Sequence, residues 1–341
     1  MAIRIALNGF GRIGRQITRS LFSGCGAGLE LRAINTLEAV DCAAHLLRYD
    51  SNHGPFGQTV ESRGQQLCIS GQSVTFLNQP DPSLLPWGEL GIDLVIEASG
   101  QLSQGHKAAQ HLKAGASKVL ITAAADTPDL TLCLGVNQDL YRSSQHHIIA
   151  ASSCTTNCLA PVAKLLHERF TIQTSLATFL HSYTSSQNLL DLQHGVDLRR
   201  MRAAGRNIIP TTTSASHQLP EVIPALKGKF AALAIRVPTP VVHLASFTAS
   251  VKHQTTRDEL MNLFTEEAEQ GALQGILAVS AAPLVSIDFK GSSPSAIVDA
   301  ASIKVIGGDM IQLMIWHDNE SSYCKRIIDL VRYVGNIQDA W

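Results

Sequence analysis

The sequence predicts an α/β protein of two domains: a doubly wound nucleotide-binding domain on a parallel sheet, then an α+β domain with a mainly antiparallel sheet. Three observations predict this. Short apolar runs alternate with helix-like segments through residues 1–150, as in a parallel sheet flanked by helices. Gly9-Phe10-Gly11-Arg12-Ile13-Gly14 stands between the first such run and an apolar helix. After Cys154 the texture changes to long β-branched and aromatic strands, typical of a sheet with one covered face. A length of 341 residues suits two cores at roughly 100 to 200 residues each.

In chain order, the first region holds expected strands at Ile3–Leu7, Leu29–Ile34, Leu94–Ala98, Val119–Thr122, Leu132–Val136 and Ile148–Ser152. Between the second and third, the polar tract Ser51–Trp87 carries short apolar pieces, Gln66–Ile69 and Val74–Leu77, expected as an inserted hairpin or edge strands. A helix is expected over Leu159–Phe170. Long strands follow at Thr174–His181, Ala231–Val237 and Val241–Val251. Ser321–Val334 returns to helical spacing through Ile327, Ile328, Leu330, Val331 and Val334.

Composition narrows the function classes. The chain is 45% apolar and 16% charged, with 27 basic against 28 acidic residues and a formal charge of -1, which argues against a polyanion binder and gives no support to nucleic-acid binding. The longest apolar stretches, such as Ile92–Ala98, fall well short of the roughly 20 residues of a membrane-spanning helix. Met1 leads straight into Ile3-Arg4-Ile5-Ala6-Leu7 without a secretory pattern, and the seven cysteines fit reduced thiols better than a disulfide framework. A cytoplasmic protein is therefore expected.

The Gly9–Gly14 turn is a G-x-G-x-x-G. Its glycines allow a tight turn, backbone approach to a pyrophosphate and close helix–sheet packing, the marks of a Rossmann-type domain. The expected cofactor set is Gly9, Phe10, Gly11, Arg12, Ile13 and Gly14, with Asn35 and Thr36 at the end of the second strand, Ser99 and Gly100 after the third, and Thr122 at the end of the fourth. The usual ribose-binding acid lies about 20 positions beyond the glycines. Here the strand ends in the neutral Thr36, with Glu38 in the following loop, so NAD is expected with NADP not excluded.

Ser152-Ser153-Cys154-Thr155-Thr156-Asn157-Cys158 stands where a strand gives way to a helix. A cysteine at a helix N-terminus feels the positive end of the backbone dipole, which favours the thiolate. Cys154 is the candidate nucleophile; a buried structural cysteine or half a metal site are the alternatives. Zinc needs two further ligands, and neither a second close cysteine pair nor a histidine pair at helical spacing lies nearby, so no metal is expected. Cys158 reads as a core residue. Of the 13 histidines, His146 and His147 read as a solvated turn, and His45, His111 and His167 as helix-surface or rim positions. His181 ends an apolar strand before Ser182-Tyr183-Thr184 and is the candidate base, unless it is a satisfied strand-end histidine. Asp197–Arg206 concentrates guanidinium groups that suit phosphate monoesters; a solvated helix face or a subunit contact is the other reading. Thr211-Thr212-Thr213-Ser214 could add neutral donors to an anion.

Strings spread end to end, Asn8–Gly14, Ala44–Ser51, Ser153–Pro161, His181–Thr184, Asp197–Arg200, Arg236–Pro240 and Asp318-Asn319-Glu320, resemble the phosphorylating glyceraldehyde-3-phosphate dehydrogenases and the closely related erythrose-4-phosphate dehydrogenase. The Ser-Cys-Thr-Thr-Asn-Cys string is highly specific for that family. The resemblance implies Cys154 as nucleophile and His181 as base. It implies Arg236 and Thr184 as binders of the substrate's phosphate, and Ser153, Thr155, Arg200, Thr213 and Ser214 around attacking inorganic phosphate. Asn319 matches the holder of the nicotinamide carboxamide. A homotetramer is implied, with a dinucleotide-binding domain over 1–153 completed by a C-terminal helix over 320–341, and a catalytic domain over 154–319. Departures from the family pattern are Thr36 for Asp, Ser214 for Gly, Ser185-Ser186 for Asn-Asp, Ser321-Ser322 for Trp-Gly, and Gln193 where Pro is often found, with an extra residue around Gly195. The activity implied is phosphorylating oxidation of glyceraldehyde 3-phosphate. The rivals are oxidation of erythrose 4-phosphate with water resolving the thioester, and a cofactor-binding scaffold with weakened catalysis.

Overall fold

The structure, a computed structural model, describes residues 2–335 except His194 and Val196; residues 336–341 of the expected C-terminal helical segment lie outside the described residues. The chain divides into two compact units, one of residues 1–132, 139–152 and 324–341, the other of 133–138 and 153–323.

The first unit contains β1 (Ile3–Asn8), α1 (Arg12–Ser20), β2 (Leu29–Asn35), α2 (Val40–Arg48), the short pair β3 (Tyr49–Asp50) and β4 (Gly54–Pro55), β5 (Val60–Arg63), β6 (Gln66–Ile69), β7 (Gln72–Leu77), β8 (Leu94–Glu97), α3 (Gly105–Lys113), β9 (Lys118–Ile121), β10 (Leu130–Thr131) and β11 (Ile148–Ala150). Nine strands form one sheet in the order β10-β11-β9-β8-β1-β2-β7-β6-β5. From β10 to β7 every neighbour pair is parallel, and the β5-β6-β7 meander adds an antiparallel edge. β1 and β8 are almost wholly buried, as strands covered on both faces must be. The order reverses at β1, between β2 and β8, and crevices at such switch points bind ligands.

One expected strand does not form. Leu132–Val136 leaves the sheet after β10, because the N–H groups of Val136 and Asn137 both turn back to the Cys133 carbonyl and Gly135 takes φ +81°. His111 is also not on a helix rim: it is fully buried. Its Nδ1 accepts from the Trp87 indole at 3.0 Å and its Nε2 lies 3.1 Å from Glu97. The buried Glu97 also accepts from Asn8 at 2.6 Å and from the Ser99 N–H at 2.7 Å, so this cluster fixes the ends of β1 and β8.

The second unit contains α4 (Cys154–Phe170), β12 (Ile172–Ser182), β13 (Ile209–Thr211), α5 (Ala215–Val222), β14 (Phe230–Val237), β15 (His243–Val251), α6 (Arg257–Glu269), β16 (Leu277–Ser280), β17 (Ala296–Asp299), β18 (Lys304–Ile306) and β19 (Met310–His317). Its sheet runs β13-β14-β12-β15-β19-β17-β16, with β18 on β19. The pairs are antiparallel except β12-β14 and β16-β17. β15 alternates buried and half-buried residues along its whole length, the period-2 signature of a sheet face turned to a core.

α7 (Ser321–Val334) follows. From Cys324 onward it belongs to the first unit, where Arg332 donates to the Cys25 carbonyl at 2.7 Å and Tyr141 donates to the Val334 carbonyl at 3.2 Å. Among the described residues, no helix is long and apolar enough to cross a membrane.

Candidate active site

Cys154 is the first residue of α4. The chain reaches it through Ser152, fully buried at φ +53°, a left-handed conformation uncommon outside glycine. Ser153 then caps the helix, its hydroxyl accepting the Thr156 N–H. The Ser153 N–H and the Thr156 hydroxyl both donate to Oε1 of the buried Gln218, at 3.0 and 3.1 Å. Gln218, which the sequence did not single out, thus anchors the elbow that presents the thiol.

The sheet of the second unit supplies the rest by register. Arg236 on β14 pairs with His181 on β12. Leu180 pairs with Leu244 on β15, which sets His243 abreast of His181 with ring centroids 3.6 Å apart, and His243 pairs with His317 on β19. One row therefore reads Arg236, His181, His243, His317 across four strands. Cys154 Sγ and one nitrogen each of His181 and His243 lie within 4.8 Å of one another.

His181 Nδ1 lies 2.6 Å from the Ser182 carbonyl. At that separation the carbonyl accepts the Nδ1 proton, which leaves Nε2 with its lone pair free to act as a base. Arg236 Nη1 stands 2.8 Å from the same nitrogen and donates to the same carbonyl at 3.1 Å and to Thr184 at 3.4 Å. Arg236 is buried and, among the described residues, has no carboxylate partner and no hydrogen bond at Nε. A buried guanidinium left in that condition is built to receive an anion. Burial and the charge of Arg200 hold it at about 10.

The electrostatics correct the expectation of a standing thiolate. Burial pushes the Cys154 thiol up to about 11, against the opposing pull of Arg236 and of the backbone N–H groups at the helix start. Burial, with Arg236 adding to it, brings His181 down to about 3. Near neutral pH the pair is thiol and neutral imidazole, because desolvation outweighs both the helix terminus and the guanidinium.

Around Ser153 the hydroxyls gather. Ser153 Oγ is 3.1 Å from Thr155 Oγ1, which is 3.5 Å from Thr213 Oγ1. Arg200, in a short turn, donates from Nε to Thr211 at 2.8 Å and from Nη2 to the Thr212 carbonyl at 3.2 Å. Ser214 begins α5 without a side-chain cap. Asn319 is buried in the same unit, its Oδ1 accepting at 3.0 Å from the N–H of Val242, a β-branched residue at φ +71°.

In the first unit a cavity of about 610 Å³ is lined by Gly9, Phe10, Gly11, Asn35, Thr36 and Ser99, together with Asn8, Glu38, Gln79 and Lys107. Of the expected cofactor set, Arg12, Ile13, Gly14, Gly100 and Thr122 are not in its wall. Arg12 is instead ion-paired to Asp50 at 2.5 Å, which holds that carboxyl near 2. Thr122 donates to the Glu97 carbonyl at 3.0 Å. A Cβ at Gly9 would meet Ser99 N at 2.4 Å and one at Gly14 would meet Gly9 O at 2.3 Å, whereas one at Gly11 would meet nothing within 4 Å. Two glycines let the turn close, and the third leaves the start of α1 open to a ligand, so the residues present fit a dinucleotide.

A thiol that can carry an acyl group, with a base beside it and a dinucleotide site on the same chain, defines an aldehyde-oxidising dehydrogenase. The chain belongs to the glyceraldehyde-3-phosphate dehydrogenase family. Residues 3–105 match that family's NAD binding domain and residues 153–319 its C-terminal domain. Three curated relatives named glyceraldehyde-3-phosphate dehydrogenase illustrate the likeness. That of Geobacillus stearothermophilus is 45% identical over 98% of this chain and 99% of its own length. One from Bacillus subtilis is 43% identical at the same coverage, and one from Trichormus variabilis is 43% identical over 98% of both. NAD is the cofactor, and the protein is an oxidoreductase.

Proposed function

We propose that the protein oxidises glyceraldehyde 3-phosphate to 1,3-bisphosphoglycerate with NAD and inorganic phosphate. The observation that carries this reading is Arg236: a buried cation without a carboxylate among the described residues, beside the base that faces Cys154. NAD, when bound, supplies the hydride acceptor. Cys154 sulfur adds to the aldehyde carbon while its proton passes by way of His181 Nε2 to the carbonyl oxygen, giving a hemithioacetal and leaving His181 neutral again. His181 then takes the hemithioacetal hydroxyl proton as hydride leaves the carbon, and a thioester remains. Phosphate attacks the thioester carbonyl, the C–S bond breaks, and the departing sulfur is reprotonated. N–H groups at the start of α4 stabilise the oxyanion of this step. Arg236 and Thr184 hold the substrate's phosphate, and Ser153, Thr155, Arg200, Thr213 and Ser214 surround the attacking one.

The homotetramer belongs to the same proposal. Leu189, Leu190, Leu192, Leu198 and Ile208 are all exposed, and a concentration of apolar side chains in one segment marks an interaction surface. Seven free cysteines support a reducing, cytoplasmic setting.

The test is NADH formation by the purified protein with three- and four-carbon phospho-aldehydes, with and without phosphate. Strict phosphate dependence with glyceraldehyde 3-phosphate is expected. Faster, phosphate-independent turnover of erythrose 4-phosphate would replace this reading. Arg236→Leu should raise KM for the aldehyde about 10- to 100-fold, the worth of charge-assisted hydrogen bonds to one phosphate.

A further inference from the structure

We propose that Cys154, His181 and His243 form an inhibitory site for a thiophilic divalent cation of the Zn²⁺ class. The two close histidines absent from the sequence spacing are supplied by strand pairing: β12 and β15 set His181 and His243 side by side over the sulfur at the start of α4. One thiol and two imidazoles within 4.8 Å of one another make an S/N₂ donor set. A tetrahedral ion bonded at about 2.3 Å to sulfur and about 2.0 Å to nitrogen separates its ligands by about 3.5 Å. Closure therefore shortens the longest of these separations by up to about 1.5 Å, a change that small rotations of three side chains can share.

The hydrogen bonds leave suitable lone pairs. His181 gives its Nδ1 proton to the Ser182 carbonyl at 2.6 Å, so Nε2 is the ligating atom. His243 is fully buried, with Nε2 at 2.9 Å from Ser182 Oγ and Nδ1 without a hydrogen-bond partner among the described residues. A metal-binding imidazole is typically held this way through its other nitrogen. His243 has no part in the proposed reaction, and its Nδ1 stays unsatisfied unless something takes its lone pair.

Sulfur and imidazole favour zinc over magnesium or calcium, which take oxygen ligands. As the S–Zn bond forms, the thiol proton leaves to solvent. Arg236, 2.8 Å from His181 Nδ1, repels a dication and keeps the affinity below that of a structural zinc site. The fourth position stays open, and the ion is removable by a chelator. Bound there, it takes both the nucleophile and the base out of use.

The inhibitory consequence rests on the proposed mechanism, but binding does not, so the experiment reads both. Full-length protein is titrated with Co²⁺ as a spectroscopic substitute and with Zn²⁺ alone. Alkylation of each cysteine is located by mass spectrometry. Expected are a thiolate-to-cobalt charge-transfer band that Zn²⁺ abolishes, protection of Cys154 but not exposed Cys42 from iodoacetamide, and loss of activity that EDTA restores. Mg²⁺ should give none of these. His243→Asn should turn over NAD at a rate within a few-fold of the parent and bind Zn²⁺ at least tenfold more weakly. Cys154→Ser should lose the band. Equal Zn²⁺ affinity in parent and His243→Asn overturns the proposal, as does failure of Zn²⁺ to protect Cys154 in the parent protein, which needs no variant to fold. Protection of Cys154 by Zn²⁺ in a protein inactive with every phospho-aldehyde would keep the metal site and reject the enzymatic reading.

Discussion

Cys154 shows how far an environment can move a single thiol. The helix start and Arg236 pull its pKa down, burial pushes it up, and burial prevails at about 11. In the proposed reaction the sulfur must then lose its proton through His181 as it attacks, since no standing thiolate is available. Iodoacetamide alkylation of Cys154 without substrate should therefore climb about tenfold per pH unit from 7 to well beyond 9, where an ordinary thiol levels off. Arg236→Gln removes the one cation that opposes burial, so its alkylation rate at pH 8 should fall several-fold. A plateau below pH 8, or a faster rate in that variant, would contradict this balance. Cys154 itself was legible in the sequence because its string is local and sits at a strand-to-helix junction. The sign of its shift was not, since desolvation depends on residues such as Arg236 and His181 that the chain brings in from remote strands.

At the scale of elements, the strand–turn–helix from β1 to α1 divides its glycines by job. Gly9 and Gly14 exist because a methyl group would strike backbone at 2.4 and 2.3 Å, while Gly11 faces open space. Gly14→Ala should lower stability by about 1–3 kcal/mol, as overpacking against a fixed carbonyl does. Gly11→Ala should leave the denaturation midpoint within the small range of surface changes yet weaken NAD binding about tenfold or more. Chemical denaturation and fluorescence titration of NADH distinguish the two; equal effects on stability would dissolve the division. The alternation of elements that made this half readable also misplaced Leu132–Val136, whose apolar composition mimics a strand although Gly135 and the Cys133 carbonyl turn it away. The row of Arg236, His181, His243 and His317 was invisible for a different reason. Each residue stands at the end of an ordinary apolar strand, and only the register of four strands reveals that they are neighbours.

For the whole molecule, that row sets the acid limit of stability. Burial holds His181 and His317 at about 3 and His243 well below its usual value. These folded-state values lie below the unfolded value near 6.5, so the unfolded chain binds more protons than the native one between those limits. Native stability from this source is complete above about pH 6.5 and is lost as pH falls toward 3, with a slope approaching three protons. At the alkaline end the sign reverses. The raised Cys154 thiol contributes stability that is whole below about pH 9 and is lost as pH rises toward 11. A stability plateau between roughly pH 6.5 and 9 should appear in urea midpoints measured across pH. Replacing His317, which has no hydrogen bond at either ring nitrogen among the described residues, with the similarly shaped Phe should flatten the acid limb by about one proton. If the limb keeps its full slope in His317→Phe, the buried histidines are not what the acid attacks. The same burial that keeps His181 neutral thus narrows the pH range over which its unit stays folded.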